Sequence, residues 1–228
     1  MNIILLHGAI GSKAQMHELN SVLSAEHQVF SYDFPGHGEH SEYEQGFSIE
    51  VFEKWISKEI ENMKGDIAIL GYSLGGYVGL RLALLYPDRV KAVMTFGTIF
   101  DWHPTQSSKQ IAMINPDKIR EKVPAFANML LDTHGEKWIN VLRQTHQLLE
   151  KLGNLPLLND ENLPKINARC LITVGDRDAI VSIPESIYAY KLIPNAGFAV
   201  YANTGHPIEK APIDKMKKDF LELLASAK

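Results

Sequence analysis

Short apolar runs alternate along this chain with longer stretches in which apolar and polar residues recur at helical spacing. The runs are Ile3–Leu6, Val29–Tyr32, Ile67–Leu70, Ala92–Phe96, Cys170–Val174 and Phe198–Tyr201. None shows strict in-and-out alternation, the pattern expected of strands covered on both faces. Between them, "SIEVFEKWISKEIENM" from Ser48 puts Phe52, Trp55, Ile56, Ile60 and Met63 on one stripe, with Ser48 as the predicted N-cap. The segment after Pro212 repeats the design with Ile213, Met216, Phe220 and Leu223. Strands alternating with helices predict βαβ units with right-handed crossovers. The expected architecture is α/β, a doubly wound, mainly parallel six-stranded sheet.

One stretch breaks the alternation. From about Phe100 to Leu163 there is no strand pattern, only helical periodicity punctuated by Pro104, Pro116, Pro124 and Pro156. Within it "EKWINVLRQTHQLLEKL" is amphipathic through Trp138, Val141, Leu142, Leu148, Leu149 and Leu152. The insertion leaves from the carboxyl end of a strand, where open α/β sheets bind ligands. It reads as a helical lid over 99–164, set into a core of 1–98 and 165–228; a helical flank packed beside the sheet is the alternative.

Composition narrows the function classes. The chain has 228 residues, 45% of them hydrophobic, and a formal net charge of -4. That is one domain's worth of chain, with an ordinary globular balance and no basic footprint for nucleic acid. Lys215 to Lys218 reads as the solvated side of the last helix. The single cysteine, Cys170, lies in an apolar run and reads as a buried structural thiol, so no internal disulfide is expected. No stretch approaches a membrane-spanning length, and "MNIILLHG" lacks the basic flank of a leader. The expectation is a cytoplasmic protein without a membrane partner, monomer or homodimer.

The candidate chemistry centres on Gly71-Tyr72-Ser73-Leu74-Gly75, a G-x-S-x-G pattern. Alone the pattern is weak, but here a predicted strand precedes it and a helix, Tyr77 to about Tyr86, follows. Its glycines let strand and helix approach while the serine sits strained at the tip. Gly76, Gly79 and Ala83 give that helix a small-residue stripe.

Taken with "LHGAIGS", "DFPGHGEHS", "VGDRD" and "NTGH", each after a predicted strand and in this order, the motif resembles the α/β-hydrolase superfamily along nearly the whole chain. The chain starts at the strand that carries His7-Gly8, so the resemblance implies a minimal, all-parallel version lacking the usual first two strands. It implies Ser73 as nucleophile, His206 as general base and Asp178 as the orienting acid. Asp101, after an earlier strand, is the reserve acid, and Asp176 is expected to shape its turn. Backbone N–H groups of Leu74 and, by analogy, Ala9 would form the oxyanion hole. His7 is expected to brace its loop, and His37 and His40 read as structural or solvent-facing. No metal-ligand spacing and no dinucleotide-binding glycine pattern is present, so no metal and no cofactor are expected.

The implied reaction is hydrolysis of a small carboxylic ester or related acyl compound, on a substrate that is partly apolar. Trp102, Met113, Met129 and Trp138 either line the pocket or pack as core. The alternatives are carbon–carbon bond hydrolysis, a menaquinone-precursor-type lyase drawing on Arg120 or Arg143, and a non-catalytic ligand-binding relative.

Overall fold

The computed structural model describes every residue except 41, 42, 44, 45 and 228. Ser41, the last residue of "DFPGHGEHS", therefore lies outside the described residues. All six predicted runs form strands: β1 (Asn2–Leu6), β2 (Val29–Tyr32), β3 (Ile67–Tyr72), β4 (Val90–Phe96), β5 (Arg169–Gly175) and β6 (Ala196–Tyr201). They make one sheet in the order β2-β1-β3-β4-β5-β6, and every pairing is parallel.

Side-chain parity explains the unbroken apolar runs. In β3, Ile67 and Ile69 point into one core and Ala68 and Leu70 into the other. The second core is closed by α1 (His17–Ser24) and α9 (Ile213–Ser226), through Leu19, Leu23, Met216 and Phe220. The first is closed by α2 (Ile49–Asn62), α3 (Leu74–Leu85) and α8 (Ile183–Leu192). The sheet is thus doubly wound. Ser48 caps α2 as expected, its side chain accepting from Val51 N–H.

Between β4 and β5 the chain forms α4 (Pro104–Met113), α5 (Pro116–Lys122), α6 (Pro124–His134) and α7 (Trp138–Asn154). Three of the punctuating prolines stand in the first turn of a helix, where the missing N–H has no intrahelical partner to lose. Ile119, Leu130, Trp138 and Leu142 form a small core of the insertion's own. Its exit is pinned to the main core. Tyr77 Oη accepts from the N–H groups of Leu157 at 2.8 Å and Leu158 at 2.7 Å. Beside it Arg81 Nε donates to Glu53 Oε1 at 2.6 Å. No helix among the described residues is long and apolar enough to cross a membrane.

Candidate active site

The site lies along the carboxyl edge of the sheet. β3 is buried throughout and runs straight into α3 with a single residue, Ser73, between them. Ser73 has φ 52° and ψ −116°, a left-handed conformation that costs a non-glycine residue about 1–3 kcal/mol and persists only where its surroundings enforce it. Here its N–H donates to Phe96 O at 2.8 Å, and Thr98 Oγ1 donates to its carbonyl at 2.8 Å. The tight turn also needs its glycines. A Cβ on Gly71 would lie 2.3 Å from Gly76 N, and one on Gly75 2.3 Å from Leu6 O.

His206, beyond β6, and Asp178, beyond β5, meet at 2.8 Å between Nδ1 and Oδ2. The Asp178 side chain has no exposed surface and that of His206 is 11% exposed. A carboxylate buried to this degree needs donors on both oxygens. Oδ1 of Asp178 accepts from Ile180 N–H at 2.8 Å and Val181 N–H at 2.9 Å, leaving Oδ2 for the imidazole. Nδ1 therefore carries the ring proton and Nε2 is the free acceptor. Gly97, at φ 61°, passes against this pair. A Cβ there would sit 3.1 Å from His206 Nδ1 and 3.2 Å from Asp178 Oδ2.

The other carboxylates stand elsewhere. Asp101 is exposed, and its partner is His103 at 3.8 Å. Asp176 accepts from Thr204 N–H at 3.0 Å, and backbone donors from Asn203 and Thr204 hold its carboxyl below the usual range. It shapes the turn.

Leu74 is the first residue of α3, so its N–H has no acceptor within the helix and lies at the positive end of the helix dipole. Opposite it runs the loop Gly8-Ala9-Ile10, held by three buried imidazoles. His7 Nδ1 lies 2.7 Å from Gly8 O, while its Nε2 accepts from Phe34 N–H at 3.0 Å. His37 Nε2 lies 2.6 Å from Ala9 O. His134, from the end of α6, places Nε2 3.0 Å from Ile10 O. Burial pushes His7 and His37 down to about 3 and lowers His134 as well, so all three rings are neutral. His40 instead packs edge-on against Trp55.

Ser73, His206, Ala9 and Leu74 all line one cavity of about 490 Å³. Among the described residues Ser73 Oγ has no hydrogen bond to His206; the two side chains share the cavity wall. Most of the lining is apolar, including Ile10, Ile114, Phe126 and Leu149, and Trp102, Met113 and Met129 belong to it. Trp138 does not: it packs in the insertion's own core, with Arg120 5.1 Å above its ring. No lysine or arginine lines the cavity among the described residues; its one carboxylate is Glu209, which accepts from Gln15 Nε2 at 3.1 Å. Cys170 is buried and its thiol is pushed up to about 12, as befits a structural residue.

Sequence reasoning missed Gly97, Thr98 and His134. For Gly97 and Thr98 a signal existed, the Phe-Gly-Thr that ends β4 at the same sheet edge as the other motifs. His134 had none, as a lone histidine in a helical stretch.

The family model for the alpha/beta hydrolase fold matches residues 2–157, more than half of the chain. The chain belongs to the α/β hydrolase fold family. Among sequence relatives, the pimeloyl-[acyl-carrier protein] methyl ester esterase of Neisseria meningitidis serogroup C is 34% identical over 91 residues, 40% of this chain. That match spans only 34% of the relative's own length. Among solved structures, a putative lipase from Acinetobacter baumannii superposes with TM-score 0.79 at 23% identity, over 99% of this chain and 84% of that one. MenH from S. aureus does so with TM-score 0.80 at 18% identity, over 100% and 94%. At these identities the two superpositions establish the shared α/β hydrolase fold and nothing finer.

Proposed function

We propose that this α/β hydrolase is a serine esterase that cleaves an uncharged carboxylic ester with an apolar acyl portion through an acyl-enzyme. The observation that carries the reading is the buried Asp178–His206 pair, whose imidazole lines the same apolar cavity as the strained Ser73. Ser73 Oγ attacks the ester carbonyl as His206 Nε2 takes its proton. The N–H groups of Ala9 and Leu74 hold the resulting oxyanion, each contributing about 3 kcal/mol in comparable sites. The intermediate collapses, the alcohol leaves with the proton from His206, and water releases the acid by the same steps in reverse. In this reading 99–164 is the lid over a core of 1–98 and 165–228.

Two further observations favour an uncharged ester. Among the described residues the cavity wall offers no cation to an anionic substrate, since Arg120 stacks on Trp138 and Arg143 is exposed, both outside the lining. That weighs against the lyase reading, which looked to those arginines. The relatives carry the name pimeloyl-[acyl-carrier protein] methyl ester esterase, and a methyl ester is an uncharged ester.

The test is turnover of p-nitrophenyl esters from acetyl to dodecanoyl by the wild type and Ser73→Ala, with mass spectrometry of the quenched enzyme. The expected result is a preference for intermediate chains, an acyl adduct on Ser73, and loss of both in the variant. Equal turnover by the variant would overturn the proposal.

A further inference from the structure

Successive carbonyls of Gly8, Ala9 and Ile10 each face an imidazole nitrogen, from His7, His37 and His134. The first two rings belong to the core. His134 comes from the helical insertion, 124 residues from Ile10 in sequence, and is 2% exposed. Its ring is locked from both sides. Gly38 N–H can only donate, and it does so to His134 Nδ1 at 3.0 Å; the proton is therefore on Nε2, which donates to Ile10 O. One neutral ring thus ties α6 to the turn after β2 and to the loop after β1. From α7, Thr145 Oγ1 adds a contact to Ala9 O at 3.5 Å.

In a trans peptide the C=O and N–H point in opposite directions. Fixing the Gly8 carbonyl therefore fixes where Ala9 N–H points, and fixing the next two carbonyls prevents the loop from rotating about that peptide. Two core histidines and the insertion share the task. When α6 is seated the clamp is complete; when α6 lifts, Ile10 O and Gly38 N–H lose their partner together.

Resting on the esterase reading above, we propose that His134 is a positioning residue that makes the aim of the Ala9 oxyanion donor depend on the seating of α6. The site is thereby fully competent only with the insertion closed over the bound acyl chain. Small misplacement of a preorganised donor is enough to slow the chemical step without weakening ground-state binding.

The test compares His134→Leu, which keeps the volume and removes both hydrogen bonds, with His134→Gln, whose amide can accept from Gly38 N–H and donate to Ile10 O. Each is assayed for kcat and KM on the preferred p-nitrophenyl ester, for affinity to a trifluoromethyl ketone that forms a hemiketal oxyanion with a serine, and for thermal stability. His134→Leu is expected to lower kcat about 10- to 100-fold with KM within twofold, and to weaken the ketone by the same factor. His134→Gln is expected to recover most of the loss. Should His134→Leu fail to fold, His134→Asn, whose amide is one methylene short of glutamine's reach, takes its place with the same split, two- to fivefold in kcat. A loss confined to KM, or a kcat per titrated active site equal to wild type in both variants, overturns the proposal. Ser73→Ala runs alongside: if it turns over like wild type, the esterase reading itself has failed, whereas an inactive Ser73→Ala beside an unimpaired His134→Leu removes only the role of His134.

Discussion

Asp178 takes the His206 imidazole on one oxygen and two backbone N–H groups on the other, with no part of its side chain exposed. The carboxylate is held by the turn after β5, so it dictates which ring nitrogen carries the proton. Asp178→Asn is expected to leave the fold recognisable by circular dichroism while lowering kcat by about 10³–10⁴, because the amide favours the wrong tautomer. Retention of more than a tenth of the activity would show that His206 does not depend on this partner.

Tyr77 makes a different kind of prediction. Its hydroxyl satisfies two backbone N–H groups at the exit of the insertion, and Tyr77→Phe leaves both without an acceptor, that of Leu158 buried and that of Leu157 half-buried. Stability is expected to fall by about 2–4 kcal/mol on urea denaturation. A change under 0.5 kcal/mol, on the order of an ordinary surface substitution, would mean that the insertion is held elsewhere.

The three neutral imidazoles predict acid sensitivity. In the unfolded chain a histidine titrates near 6.5, while burial holds His7 and His37 at about 3 in the native state. Above pH 6.5 both states are neutral and nothing changes. As pH falls from there towards 3, the unfolded chain takes up protons that the native state refuses, so stability drops. Between pH 7.5 and 5.5 these two groups together should remove about 3 kcal/mol, and His134, lowered in the same direction, adds to the loss. Denaturation midpoints that do not move over this range would contradict the neutral-clamp description.

Glu209 bears on substrate charge. It is the one carboxylate in the cavity wall, with no lysine or arginine beside it there among the described residues. A neutral methyl ester should be hydrolysed at least tenfold faster than a half-ester of a dicarboxylic acid of equal length, judged by kcat/KM. Because Glu209 is exposed and screened, Glu209→Gln should narrow that ratio only about threefold, and less at high salt. Equal rates for both substrates in the wild type would refute an electrostatic filter.

Much of the fold was legible because strands buried on both faces write themselves as unbroken apolar runs, as Ile67–Leu70 does. Helices betray themselves when one face is solvated, as α2 and α7 do. The helix after Ser73 starts at Leu74 rather than at the expected Tyr77. Gly75 and Gly76 are poor helix formers in isolation, yet close packing against Leu6 and Thr98 admits nothing larger. The motif residues Ser73, Asp178 and His206 were marked by sequence context at strand ends, and the structure brings Asp178, rather than Asp101, to His206. What could not be read was contact at a distance. Nothing local to His134 announces Ile10, and nothing local to Trp138 distinguishes a cavity wall from the core it joins.

His206 follows β6, an edge strand whose neighbour β5 arrives only after the whole helical insertion has been traversed. Under the esterase reading, Ser73 sits at the end of the central strand β3 while its proton acceptor follows the edge strand, so the serine is inert until β6 has docked. In a refolding experiment, regain of ester turnover would time the arrival of the C-terminal quarter and not the formation of the sheet's centre.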